Sequence, residues 1–236
     1  MGSISGIIES LDTSEKQMED AKEALEALEA LAQTKADFFR MDIEKALITA
    51  GSDQDRRVPI EAVLDSTSQT HAMMSNQVND IGAPIGKALT SFCRGSAPDI
   101  IDGVAGLVTD VLKEFLGESE AAEDTLDRYV VLTEEYSIIR LDLRAWQRAI
   151  ESSGIRHRAD KVSAFVLVKS AVDLEKIGFN TFLYLYRAQL HEMQMSTKDI
   201  EQALDRATLI YEKFHHEVGA VRNGRSPGLT PSRSAG

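Results

Sequence analysis

The sequence predicts an all-α fold: an elongated up-and-down bundle of about five long helices plus one shorter amphipathic helix, with coiled-coil-like packing. Only five prolines occur in 236 residues, so long stretches lack helix breakers. Apolar residues recur at alternating steps of three and four in several segments, which is the helical period. The run VSAFVLV could form a strand, but no second convincing strand offers itself as a partner.

The first helix is expected to begin near Asp12 or Thr13, which can cap its N-terminus, and to end at Gly51. Its seam has coiled-coil-like spacing and comprises Met18, Ala21, Leu25, Leu28 and Ala32. Its outer face is expected to be an acidic flank formed by Glu15, Glu19, Glu23, Glu26 and Glu29.

The remaining helices follow from the same period and from their breakers. They are predicted over 59–94, 97–119, 118–154, 159–195 and 196–222. The second should be kinked or broken at 82–86, where two glycines flank a proline. Ser196 and Asp199 suggest a capping box for the last one. Residues 1–222 then form a single bundle domain, and the Gly/Ser/Pro-rich residues 223–236 are expected to be a disordered tail.

The segment 97–119 is a distinct amphipathic element. Its candidate partner-facing or membrane-facing apolar face comprises Ile100, Ile101, Val104, Leu107, Val108, Val111, Leu112, Phe115 and Leu116. Its polar face is acidic, whereas a helix that lies on a membrane surface carries Lys and Arg there. The helix therefore either covers the bundle permanently or is a mobile element that is stowed and later deployed.

Five arginines form a candidate stripe for an anion or an acidic partner. They are Arg140, Arg144, Arg148, Arg156 and Arg158. The first three are spaced four apart, which places them on one face of the predicted helix. Such a stripe could hold phosphate groups. Alternatively, it pairs internally with the acidic flank of the first helix, or with Asp142 and Glu151.

Charge and composition exclude several classes of protein. A net charge of -12 argues against nucleic-acid binding and against adsorption to an anionic membrane. The single Cys93 excludes an internal disulfide. The sequence predicts neither a signal peptide nor a constitutive transmembrane helix, so we expect a cytoplasmic protein or one exported without a leader.

The sequence predicts no catalytic, cofactor-binding or metal-ligating residue, and no cofactor. Sequence signatures of nucleophilic hydrolases, P-loops and dinucleotide-binding sites are missing. Glu212 and His215 supply one half of a di-iron motif, but none of the other histidines supplies the second half. We therefore expect a protein that is not an enzyme.

These observations favour a non-catalytic protein that acts by protein–protein association or self-assembly, with a protein partner or a second copy, and we expect a homo-oligomer. The first alternative is a membrane-active, pore-forming, toxin-like protein that deploys the 97–119 segment, so that a membrane is reached only by triggered insertion. The second alternative is a helical metal-binding enzyme.

Overall fold

The computed structural model describes residues 16–50, 57–73, 82–92, 98–118, 122–134, 137–150, 159–193 and 195–222. Within these ranges the chain forms five helices and a four-stranded antiparallel sheet. The prediction of an all-α bundle with coiled-coil-like packing is therefore wrong, because the fold combines helices and strands in layers. The predicted disordered tail, 223–236, lies outside the described residues.

In chain order, the elements are α1 (Lys16–Thr49), β1 (Ile60–Met73), α2 (Gly82–Phe92), α3 (Pro98–Glu118), β2 (Glu123–Glu134), β3 (Ser137–Ala149), β4 (Lys161–Val172), α4 (Phe179–Glu192) and α5 (Thr197–Arg222). Strands β2, β3 and β4 form a meander, and β1 pairs with the free side of β4. The strand order in the sheet is β1-β4-β3-β2.

Helices cover both faces of this sheet. On one face α1 packs alone among the described helices, in a core that includes Trp146 and the even-numbered residues 162–168 of β4. On the other face α2 to α5 share a larger core with the odd-numbered residues 139–145 of β3. Side chains alternate between the two faces along each strand, so both sets are buried.

Three predicted helices are wrong, and double burial accounts for the parts of them that form β3 and β4. The predicted helix over 59–94 is instead β1 followed by α2, that over 118–154 is β2 and β3, and that over 159–195 is β4 and α4. A strand covered on both faces shows no polar alternation, so its apolar run resembles a buried helix. The residues VSAFVLV lie in β4 and have partners on both sides, which are β1 and β3.

Three helices lie where the sequence predicts them. These are α1, α3 and α5. The N-terminus of α5 is capped as the sequence indicates: the backbone N–H of Asp199 donates to Ser196 Oγ at 3.2 Å, and that hydroxyl donates to the Asp199 carboxylate. For these three helices the period is informative because each has one face on the core and one in solvent.

A side chain of α4 bonds two backbone groups on the free edge of strand β2. Val131 N–H donates to Gln189 Oε1 at 2.6 Å, and Gln189 Nε2 donates to the carbonyl of Tyr129 at 3.4 Å. One carboxamide thus makes both hydrogen bonds that a neighbouring strand would make there. Occupied edge groups are less available for pairing with another strand.

Candidate functional site

Helix α1 carries a second uncharged face, on the side away from the sheet. Five exposed residues follow one another at steps of three and four, and we call them the outer stripe: Ala27, Ala30, Thr34, Phe38 and Met41. This spacing keeps them on one side of the helix over about 21 Å. Phe38 is 54% exposed and Met41 is 59% exposed, so two large apolar side chains face solvent beside each other.

The one polar side chain in the outer stripe is satisfied within the helix. Thr34 Oγ1 donates to the carbonyl of Ala30 at 2.7 Å. Because its hydroxyl already has a partner, Thr34 can be covered at low cost. The stripe ends at an exposed acid, Glu23, and at an exposed base, Lys45.

Charged groups lie along a flank of the outer stripe and interact with one another. Lys22 lies 3.9 Å from Glu26, and Arg40 lies 3.2 Å from Asp37. The Asp37 carboxylate also accepts a hydrogen bond from Gln33 at 3.4 Å. This arrangement of an apolar centre with charged margins is typical of protein-binding surfaces.

The opposite side of α1 is fixed to the sheet. Leu25, Ala32, Ala36, Phe39 and Ile43 are buried there. The small side chains of the two alanines let the helix approach β4 closely. The backbone that carries the outer stripe is therefore held in place by packing, which lowers the entropy cost of docking a partner on it.

Polar contacts reinforce this attachment. Lys35 Nζ lies 2.7 Å from Glu123 Oε1, which also accepts a hydrogen bond from Trp146 Nε1 at 2.7 Å. The hydrogen bond from Lys35, followed by that from Trp146, lowers the pKa of the Glu123 carboxyl. Asp42 forms an ion pair with Arg144 of β3. Both contacts join α1 to the β2–β3 side of the sheet.

The predicted arginine stripe lies on a strand rather than on a helix. Arg140, Arg144 and Arg148 belong to β3 and share one face of it, because a spacing of four is a multiple of the strand period of two. Arg156 and Arg158 lie outside the described residues. The same spacing fits a helix and a strand, so it could not distinguish them.

Two of these arginines are engaged inside the protein. Arg140 donates to Asp142 Oδ1 through Nε at 3.1 Å and Nη2 at 2.5 Å, and its Nη1 donates to the carbonyl of Val58 at 2.7 Å. Its guanidinium also lies 4.3 Å from the centre of the Tyr129 ring. Burial raises the pKa of the Asp142 carboxyl, against the pull of Arg140.

Arg144 extends these contacts towards α1. Besides its ion pair with Asp42, it lies 2.9 Å from Asp127 of β2. The guanidinium groups of Arg140 and Arg144 therefore hold together parts of this chain, and of the three only Arg148 is exposed. A stripe with this degree of internal pairing is a poor candidate site for a phosphate or an acidic partner.

The structure places the predicted apolar face of α3 in the core. Its central residues are buried and the flanking ones half-buried; the buried set is Ile100, Val104, Val108, Leu112 and Leu116, and the half-buried set is Ile101, Leu107, Val111 and Phe115. The C-terminal carbonyls of α3 are also bonded: Gln147 Nε2 donates to Phe115 at 2.7 Å, and Lys161 Nζ donates to Leu116 at 2.6 Å. Side-chain donors at these positions satisfy carbonyls that have no partner within the helix.

A cavity of about 80 Å³ lies beneath α3, against β2 and β3. Its lining is mostly apolar and includes Leu107, Val111 and Leu143, with Arg128 and Glu192 as charged members. A ligand site normally adds a few polar groups that converge on one point. The two charged residues here are of opposite sign and both are exposed, so we assign no ligand to this cavity.

Sequence reasoning missed the outer stripe. In the N-terminal half of this helix, Glu23 and Glu26 of the predicted acidic flank are exposed. From Ala30 to Met41 the positions of the outer stripe are uncharged, and their spacing of three and four is visible in the sequence. The signal was therefore present but was obscured by the buried seam, which has the same period on the opposite side.

In the part of the chain that the structure describes, no group of three or more His, Cys, Asp or Glu side chains could hold a metal ion. His215 packs against the Tyr211 ring, with 4.3 Å between ring centres. Within the same ranges, no helix has the length and apolar character needed to cross a bilayer.

No protein-family model matches the chain, and no curated protein or solved structure shows significant similarity to it.

Proposed function

We propose that the protein works without catalysis, by association with protein chains through the outer stripe of α1, and that it forms a homo-oligomer. One observation carries this proposal: Phe38 and Met41 are more than half exposed on an uncharged helix face. Aromatic residues and Met are enriched at the centres of protein interfaces, where charged residues are depleted. The attachment of α1 to the sheet supports the proposal, since a fixed surface loses little entropy on binding.

The membrane-active alternative is less well supported. It requires α3 to leave the contacts that bury Val104, Val108 and Leu112. It also requires the hydrogen bonds at the C-terminal end of α3 to break. The outer stripe, by contrast, can bind a partner with no rearrangement of the described fold.

Sedimentation velocity over a wide range of protein concentration tests this function. We expect concentration-dependent association of the wild-type chain, and we expect the double variant Phe38→Ser, Met41→Ser to weaken it at least about tenfold, because central apolar contacts dominate interface energies.

The matched control removes two exposed apolar side chains elsewhere. Tyr184 on α4 is 77% exposed and Leu209 on α5 is 64% exposed, so Tyr184→Ser, Leu209→Ser changes a similar apolar area. We expect this control to associate like the wild-type chain. A wild-type chain that sediments as a monomer at every concentration would contradict the proposed function, and equal losses from both double variants would contradict the role of the outer stripe.

A further inference from the structure

The order of residues along the outer stripe specifies how a second copy fits it. The N-terminal half has small side chains, Ala27 and Ala30, and the C-terminal half has large ones, Phe38 and Met41. Thr34 lies midway, four residues from Ala30 and four from Phe38. The side chains of the outer stripe are therefore small at one end and large at the other, and Thr34 marks the middle of the stripe.

We propose that two copies of the chain pair through their α1 helices in an antiparallel arrangement, about a two-fold axis at Thr34. This inference rests on the proposed function and specifies its partner and geometry. In this register, Phe38 of each copy lies over the partner's Ala30, and Met41 lies over the partner's Ala27. Large side chains then fill the space above small ones, which is how facing layers interdigitate.

The charges at the ends of the stripe fit the same register. Lys45 of each copy faces the partner's Glu23, because both lie eleven residues from Thr34 on the exposed side of the helix. On the flank, Arg40 comes close to the partner's Glu26, and Glu44 comes close to the partner's Lys22. Three kinds of opposite-charge contact thus form twice each, as an isologous interface requires.

A parallel pairing makes none of these matches. It sets Phe38 against the partner's Phe38 and Ala27 against the partner's Ala27, which crowds one end and leaves space at the other. It also sets Glu23 against Glu23 and Lys45 against Lys45. Like charges in contact disfavour such a pair, and the size mismatch prevents close packing of two straight helices.

Charge exchange tests the register. Lys45→Glu replaces two attractions by repulsions, and we expect it to weaken dimerisation about tenfold, whereas Glu23→Lys combined with Lys45→Glu should restore the wild-type constant to within about twofold. The loss in Lys45→Glu and its rescue in Glu23→Lys, Lys45→Glu are informative together, because in a parallel pair both variants would keep like charges in contact and neither change would be seen. A double variant as weak as Lys45→Glu would overturn the proposed register.

Site-specific cross-linking provides an independent measurement. In a Cys93→Ser background with oxidised glutathione, we expect the Thr34→Cys variant to form a disulfide between position 34 of one copy and position 34 of the other. Ala27→Cys alone should give no covalent dimer, whereas a mixture of Ala27→Cys and Met41→Cys chains should give one, since a disulfide needs the two Cα atoms within about 7 Å.

The outcomes separate the two proposals. If Ala27→Cys links to itself while the wild-type chain dimerises, the arrangement is parallel and the inference fails although the proposed function stands. If Thr34→Cys gives no covalent dimer while the wild-type chain dimerises, the axis is elsewhere and the inference fails in the same way. A monomeric wild-type chain overturns both proposals.

Discussion

Helices α1 and α3 are both long and amphipathic, yet they use their surfaces differently. α3 buries its apolar face in the core and displays acids such as Asp102, Asp110 and Glu114. α1 also buries an apolar face, but it displays a second uncharged face where α3 displays charge. The spacing of apolar residues thus shows how many uncharged faces a helix has. The tertiary structure shows which of these faces packs against the core. A face left over after folding is a candidate interface.

The largest expected effect is on folding stability, where truncation of an apolar side chain should cost much more in α3 than in the outer stripe of α1. Leu112→Ala in α3 should lower the free energy of unfolding by about 2–5 kcal/mol, because it leaves a cavity in a buried site. Met41→Ala in α1 should change it by less than about 0.5 kcal/mol, because Met41 is exposed in the monomer. Urea unfolding, at a protein concentration where the chain is monomeric, measures both values. Similar losses from the two variants would contradict the distinction between a core face and a docking face.

A smaller effect is expected from the polar attachment of α3. Gln147→Ala removes the donor to the Phe115 carbonyl and should lower the free energy of unfolding by about 1–3 kcal/mol, the cost of a buried polar group without a partner. The control is Arg148→Ala at the next position, where the side chain is exposed. Amide hydrogen exchange should also become faster in the last turn of α3. If both variants are equally stable, that end of the helix does not depend on this hydrogen bond.

The smallest effect concerns the attachment of α1, and it depends on pH. Because Lys35 and Trp146 lower the pKa of Glu123 in the folded state, its ionised carboxyl stabilises the fold at a pH above the ordinary glutamate value of 4.5. That contribution is lost as the pH falls through the lowered pKa. Glu123→Gln should therefore cost less than about 1 kcal/mol at neutral pH, since the pair is partly exposed. The difference from the wild-type chain should vanish in acid; a difference that persists there would show that the charge of Glu123 is not its cause.

The two helices also show how much of the fold could be predicted. The seam residues Leu25 and Ala32 are buried in α1, and Val104 and Val108 are buried in α3, as their spacing indicates. Each helix has a solvent side, so the contrast between its faces is visible locally. Strand β4 has no solvent side. Its residues 162–168 are all buried, so nothing in its local pattern distinguishes a strand from a central helix.

The candidate site was predictable in part for the same reason. The sequence predicts association with a protein partner, but which residues of α1 remain exposed to contact one depends on the position of the sheet. The arginine stripe was wrongly placed on a helix because steps of four suit both a helix and a strand. Its internal pairing with Asp42, Asp127 and Asp142 depends on residues of α1, β2 and β3 that meet only in the folded chain.

The sequence by itself determined the local properties of this protein: the net charge, the helices α1, α3 and α5, and the two uncharged faces of α1. Only the tertiary structure decided that 60–73 and 161–172 are paired strands, since hydrogen bonds such as those near Ser66 and Val168 join residues about a hundred positions apart. It also decided that the face of α1 with Leu25 and Phe39 is inside and the face with Phe38 and Met41 is outside. Local periodicity records which residues share a face, whereas burial depends on what the rest of the chain places against that face.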